Sequence, residues 1–396
     1  MNSRLVIIFI TIFIDLLGFG LVIPALPFYA ESYGASPLVV GLLTMSYSLM
    51  QFIFAPLWGR VSDRVGRRPI ILLGLAGAAG AFLVFGLAKS LTMLFVGRTL
   101  AGLLSSASLP TAQAYIADST TPENRARGMG LIGAAFGLGF IFGPAVGGLL
   151  TKYGYGVPAL VAAGLAALNF IWAYIRLPES LQISQRPQRQ SYLSLTRLKE
   201  TLADPRIAFL ILLYFLVVFA FSEMESTFAL FSEHKLGLGA IAVGALLGEA
   251  GIISAMIQGM FIGKMTKRFG EATLAIWGTL LMGIGFLLTT RVHSITGMIL
   301  VLPLYALGSA LTHPTLTALI SRSVAEDRQG GALGISQGFS ALARVLGPLF
   351  GTWIFQVFSP TAPYFAGGLV MLLAWLAANL RLKKIVAPVL EIGTKA

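Results

Sequence analysis

Gly59-Arg60-Val61-Ser62-Asp63-Arg64-Val65-Gly66 recurs as Gly263-Lys264-Met265-Thr266-Lys267-Arg268-Phe269-Gly270, 204 residues further along the chain. The same offset relates Pro110 to Pro314, Gly143-Pro144 to Gly347-Pro348, Gly147 to Gly351 and Glu123 to Asp327. One constant offset across separate loops and apolar runs marks two copies of a single unit. What each copy is made of follows from the residues on either side of these motifs.

Those residues are overwhelmingly apolar. Hydrophobic side chains make up 56% of the 396 residues and charged ones 11%, with a mean hydropathy of +0.84; soluble domains carry about 25% charge. A surface so poor in charge needs lipid as its solvent, and the 45 glycines fit membrane helices. Runs of the roughly 20 apolar residues that cross a bilayer fall near 5–29, 37–59, 70–88, 91–116, 127–151, 157–175, 207–232, 238–262, 272–290, 295–320, 331–356 and 361–380. The expected fold is an all-α membrane protein of twelve spans in two parallel six-helix repeats. Its parts are a first bundle (1–175), a linker (176–206), a second bundle (207–381) and a tail (382–396). An even number of spans gives both copies the same orientation, the arrangement that places a substrate site between halves which rock against each other. Met1-Asn2-Ser3-Arg4 leads into the first run with no small-residue cleavage site, so that run is expected to stay as a span.

The net charge of +12 is not a nucleic-acid signal, because its distribution follows the membrane. With the N-terminus in the cytoplasm, the inner segments hold Arg4, Arg60, Arg64, Arg67, Arg68, Arg125, Arg127, six basic residues of the linker, Lys264, Lys267, Arg268, Arg322, Arg328 and the basic tail. The outer loops hold only Lys89, Lys152, Lys235 and Arg291. Positive residues collect on the cytoplasmic side, so a plasma-membrane protein with both termini and the linker inside is expected. The linker, rich in Ser, Gln and Arg, reads as partly amphipathic and surface-lying.

The repeated loop carries its own chemistry. Gly59 and Gly66 permit a tight helix exit and turn. Asp63 can sit at a helix N-terminus or pair with a neighbouring arginine, tying helix ends together. Small residues four apart in the fifth span (Gly139, Gly143, Gly147) allow close helix contact, and Pro144 frees a carbonyl that can kink that helix.

Gly59-x-x-x-Asp63-Arg64-x-Gly66-Arg67-Arg68 resembles the signature of the major facilitator superfamily, over essentially the whole chain. The resemblance is nearest to its twelve-span drug/proton antiporters, the tetracycline exporters among them. Ile14-Asp15-Leu16-Leu17-Gly18-Phe19-Gly20 with Pro24-x-x-Pro27, and Gly97-Arg98-x-x-x-Gly102, are similar to theirs. Gly137-x-Gly139-x-x-x-Gly143-Pro144-x-x-Gly147-Gly148 resembles the antiporter pattern of that superfamily. The resemblance implies a cytoplasmic gate carrying Asp63 and Arg67, with Asp118 as partner. It also has a departure: tetracycline exporters have acids in the third and ninth spans, whereas 70–88 and 272–290 have none.

Ionisable residues inside spans are costly and mark function. Asp15, near mid-depth of the first span, and Arg98 of the fourth can lie at similar depth, and this pair is the expected proton-coupling site. The expected substrate cavity takes its charges from the second copy, Glu223 and Glu225 in the seventh span, Glu249 in the eighth and Arg344 in the eleventh, with Gln51, Gln113 and Gln337. Glu249 and Arg344 have similar depths; Glu223 and Glu225, two apart, cannot share one helix face. Gln51, Gln113, Gln258 and Gln337 supply uncharged polar contacts. His234 and His293 fall in outer loops and are expected to be solvated, while His313 precedes Pro314 in the tenth span.

No metal spacing, nucleotide-binding loop or nucleophile arrangement is evident, and with no cysteine there is no disulfide or thiol chemistry. No cofactor and no enzymatic activity are expected. The expected function is proton-coupled antiport, exporting small amphipathic compounds, cationic ones among them, by alternating access and as a monomer. Lipid or metabolite transport on the same scaffold, including proton symport, is the alternative; a channel or receptor fits the doubled gate loop poorly.

Overall fold

The computed structural model describes residues 3–181, 195–324 and 328–393. Among them twelve helical stretches are long and apolar enough to cross a membrane, and no strand occurs. The chain is an all-helical, multi-pass membrane protein. The first six spans are α1 (Ser3–Val22) with α2 (Leu26–Glu31), α3 (Pro37–Val65), α4 (Arg67–Gly86), α5 (Leu91–Ser105) with α6 (Ser108–Ser119), α7 (Pro122–Leu150) and α8 (Val157–Arg176). A short helix α9 (Leu195–Ala203) precedes α10 (Pro205–Leu236), α11 (Ala240–Met256), α12 (Ile262–Phe269), α13 (Glu271–Thr289), α14 (Ile295–Arg322), α15 (Gln329–Val357) and α16 (Ala362–Gly393). Asp327, linker residues 182–194 and tail residues 394–396 lie outside the described residues.

The spans differ from apolar runs where backbone chemistry intervenes. The first run breaks at Ile23–Ala25, since Pro24 has no N–H to carry the helix on. The fourth breaks at Ser106-Ala107, where the Ser106 hydroxyl donates to the Leu103 carbonyl (2.9 Å). The eighth contains a π-helical turn, Ile257–Phe261, between α11 and α12. Gly59 is not a helix exit as expected: α3 runs through it to Val65, and the Ser62 hydroxyl donates to the Gly59 carbonyl (2.7 Å). Gly263 likewise lies within α12. Pro144 sits inside an otherwise continuous α7.

The chain forms two compact units, residues 1–189 with 228–251, and residues 190–227 with 252–396. The end of α10 and most of α11 therefore group with the first six spans. In the first unit α1 packs on α7 and α8, and α4 on α5 and α8. Its core joins Ile8 and Ile12, Ile71 and Leu75, Tyr115 and Ile116, and Ile132. In the second, α13 packs on α14 and α16. Large apolar side chains on the outside, such as Leu168, Ile175, Leu300 and Leu373, are about two-thirds exposed or more, as lipid-facing residues should be.

Candidate functional site

Gly66, at φ 122°, makes the turn between α3 and α4, and a Cβ there would lie 2.5 Å from Glu179 Oε2. Glu179 accepts the backbone N–H of Arg67 (2.9 Å) and Arg68 (3.1 Å). It thereby occupies two of the free donors at the positive end of the α4 dipole. The Arg67 side chain, 8% exposed, donates to Asp63 (2.5 Å), Asp118 (3.0 Å) and the Ser62 hydroxyl (2.8 Å). One cation thus ties the ends of α3, α4 and α6 together. Arg68 reaches α8, donating to the Tyr174 carbonyl (2.6 Å) with its guanidinium over the Tyr174 ring. Arg64 is exposed. Asp63, Arg67 and Asp118 therefore meet, but the helix N-terminus offered to Asp63 is taken by Glu179, a residue the motif does not contain.

The fifth-span glycines are contact points on two sides. Cβ atoms at Gly139 and Gly143 would come within 3.0 Å of Leu16 and 2.7 Å of Gly20, and one at Gly147 would collide with the Leu21 carbonyl. On the other side, Gly148 faces Ala240 and Gly244, and Gly251 faces Phe140. α7 is therefore seated against α1 by one row of small residues and against α11 by another.

Asp15, partly buried in α1, lies beside the Ser108 hydroxyl of α6. Arg98, 5% exposed, holds its guanidinium over the Tyr47 ring at 4.5 Å. Gln51 donates to the Tyr47 hydroxyl (2.8 Å), and Phe19 stacks on the same ring. The described ion pairs include Asp63–Arg67–Asp118 and Glu271–Arg322, and Asp15 belongs to neither. Tyr47, which organises Arg98 and Gln51, escaped sequence reasoning; its one signal was a position four before Gln51. Gln113 is exposed.

In the second unit Glu223 is fully buried, and neither carboxylate oxygen has a hydrogen-bond partner. It lies against Gly351 and Gly367, with Tyr364 and Tyr305 nearby. Glu225 is half-buried and also lies near Tyr305. The two glutamates thus separate as the two-residue spacing demands, and the sealed one is Glu223. Arg344 donates to Ser340 (2.9 Å) and lies near His313, whose ring is flanked edge-on by Tyr214 and Phe221. Phe215, Phe219, Phe339 and Phe350 form an aromatic cluster beside them. Gln337 is exposed and Glu249 half-buried.

Two expectations need correction. His234 is exposed as expected, but it lies at the end of α10 rather than in a loop, and its Nε2 is 2.9 Å from Glu31 Oε1. Glu233 lies beside them, so three ligand-type atoms come within 4.8 Å of one another. No local spacing signals this group, because Glu31 lies 203 residues before His234 in sequence. The ninth span also begins at Glu271 rather than at 272, and that acid pairs with Arg322 (3.1 Å).

The sequence profile described as Major Facilitator Superfamily matches residues 8–265 and 250–391. Multidrug resistance protein 1 of Bacillus subtilis (strain 168) is 33% identical over 95% of this chain and 97% of its own. The class D tetracycline resistance protein of Salmonella ordonez is 33% identical over 90% of each. The crystal structure of the human organic anion transporter MFSD10 (TETRAN) superposes with a TM-score of 0.72 at 26% identity, covering 95% of this chain and 99% of that one.

Proposed function

We propose that this chain, which belongs to the major facilitator superfamily, exports small amphipathic compounds across the plasma membrane in exchange for protons. The observation that carries the proton part is Glu223, a carboxyl group inside a span with no hydrogen-bond partner on either oxygen. An unpaired carboxylate charge in that setting costs several kcal/mol at least, so the group takes up a proton or a cation when it is sealed. Its enclosure argues for the proton rather than for direct contact with substrate. Asp15, which is in none of the described ion pairs, is the candidate acid of the first copy, although at the 204-residue offset Glu223 matches Phe19 and Asp15 matches Phe219. Approach of Arg98 would favour release of its proton and withdrawal would favour uptake, which is how one conformational change yields exchange.

The substrate class rests on the similarity to multidrug and tetracycline resistance proteins and on the aromatic cluster around Phe219, a surface suited to apolar rings. The excess of Lys and Arg in alternate loops supports cytoplasmic termini. A second reading, transport of anionic compounds, is favoured by the intramembrane cations Arg98 and Arg344 and by the likeness to an organic anion transporter. The Arg67 network serves in both readings as the gate.

The test uses proteoliposomes with an imposed pH gradient and a fluorescent amphipathic cation. Asp15→Asn and Glu223→Gln should bind the dye yet lose uphill accumulation. If both accumulate dye at the rate of the unaltered protein, coupling does not run through these acids.

A further inference from the structure

Between the π-helical turn, α12, α13 and α14 the second unit carries an apolar groove of about 350 Å³, lined by residues that include Ile257, Met265, Trp277, Leu281, Leu307 and Leu311. Three features surround it. The π-helical turn Ile257–Phe261 forms one wall and widens the eighth span there. Phe269 and Trp277, both exposed, stack at 5.1 Å along the rim, and the Arg268 guanidinium lies 5.2 Å from the Phe269 ring. Lys264, Lys267 and Arg268 are all exposed on α12, the helix that supplies Met265 to the groove. Glu271, the acid that opens α13, is engaged by Arg322 (3.1 Å) and so does not cancel them.

We infer that this groove holds an acyl chain of an anionic phospholipid, with the phosphate held by Lys264, Lys267 and Arg268. An open apolar groove on a membrane helix bundle is filled by lipid, and an indole at its rim marks the interface where headgroups begin. Basic clusters between spans at that level select anionic headgroups. On α12 the basic residues flank the lining residue Met265, with Lys264 directly before it and Lys267 and Arg268 within one turn after it. Cationic groups thus border the apolar groove as a phosphate borders its acyl chains. The site is independent of any role in drug export.

The test is thermal unfolding and native mass spectrometry of the delipidated protein, titrated with phosphatidylglycerol, phosphatidylcholine or glycerol phosphate. Phosphatidylglycerol should stabilise and stay bound, and the other two should not. Lys264→Gln/Lys267→Gln/Arg268→Gln should bind phosphatidylglycerol roughly 100-fold more weakly, because each basic residue near an anionic surface contributes a factor of about five. A control with the same charge loss elsewhere, Lys89→Gln/Lys152→Gln/Arg291→Gln, should bind as the unaltered protein does. Leu281→Trp, which fills the groove without touching the charges, should also lose the lipid. Equal binding by the basic triple variant and the control overturns the assignment. So does stabilisation by glycerol phosphate alone, which would make this a free-phosphate site, or undiminished lipid binding by Leu281→Trp.

Discussion

The two copies of the repeated loop keep their geometry and exchange their charges. At the 204-residue offset Asp63 becomes Lys267, Arg67 becomes Glu271, Asp118 becomes Arg322 and Glu179 becomes Lys383, while Arg60 and Arg64 stay basic as Lys264 and Arg268. Arg67 pairs with Asp118 at 3.0 Å, and Glu271 pairs with Arg322 at 3.1 Å. Attraction depends on the product of two charges, so reversing both keeps the link. A helix N-terminus is not symmetric in that way, because it favours anions only. In the first copy the residue opening α4 is cationic, and Glu179 is recruited to face the helix end. In the second copy Glu271 opens α13 and meets that need itself. The copies also differ in depth: the Arg67 side chain is 8% exposed and that of Arg322 66%. A buried hub in one half corresponds to a single surface pair in the other.

If that contrast is right, the largest effect comes from removing the hub. Arg67→Ala leaves Asp63 and Asp118 without their shared cation, a loss of about 3 kcal/mol for a broken, mostly buried pair. Transport in proteoliposomes should fall about 100-fold. Arg67→Lys should recover only part, since an ammonium cannot divide a planar fork of donors between two acids. Asp63→Asn, which keeps the shape and the Asp118 link, should cost about 10-fold, near the 1.5 kcal/mol typical of one charged hydrogen bond.

The second-copy pair should matter less. Glu271→Gln or Arg322→Gln removes an ion pair with one well-exposed partner, worth up to about 1 kcal/mol, so each should slow transport no more than about 5-fold. The exchange Glu271→Arg with Arg322→Glu restores the attraction but places a cation at the start of α13 with no counterpart of Glu179. Flux should therefore return only in part. Full recovery would mean that the helix dipole contributes nothing here and that the two copies are interchangeable.

The span count and the doubled loop were legible because they rest on local signals: apolar length, glycine and proline positions, and one fixed offset. Asp63, Arg67 and Asp118 were legible through resemblance. Glu179 was not, because it lies in an irregular stretch after α8, and only folding brings it to the start of α4. Glu271 was hidden because the ninth apolar run was started at 272, one residue past it. Arg322 was read only as one of the inner positive charges, when the pair keeps the link of Arg67 and Asp118 with opposite sign. The Glu31–His234 pair and the stack of Arg98 on Tyr47 each join residues distant in sequence. Hydropathy is blind to them, since it scores a residue by its own polarity and not by what it meets.

The smallest effect is the one that isolates the sign reversal. Lys267 stands where Asp63 stands in the first copy, four residues before the residue that opens the next helix. Asp63 is held by Arg67, and losing it takes a charge from a mostly buried hub. Lys267 is exposed, and Glu271 already has Arg322 as its partner, so losing Lys267 strands no buried charge. Lys267 and Glu271 lie on different helices either side of the Gly270 turn. An exposed charge beside an acid that already has a partner sits at the low end of surface ion pairs, about 0.2 kcal/mol. Lys267→Asn should therefore change transport less than 2-fold, against the roughly 10-fold expected for Asp63→Asn. Both variants should be measured in phosphatidylcholine vesicles, so that any anionic-lipid contact at Lys267 stays silent. Equal losses at the two positions would show that the second loop is held by its lysine as the first is by its aspartate, and the division into hub and surface pair would fall.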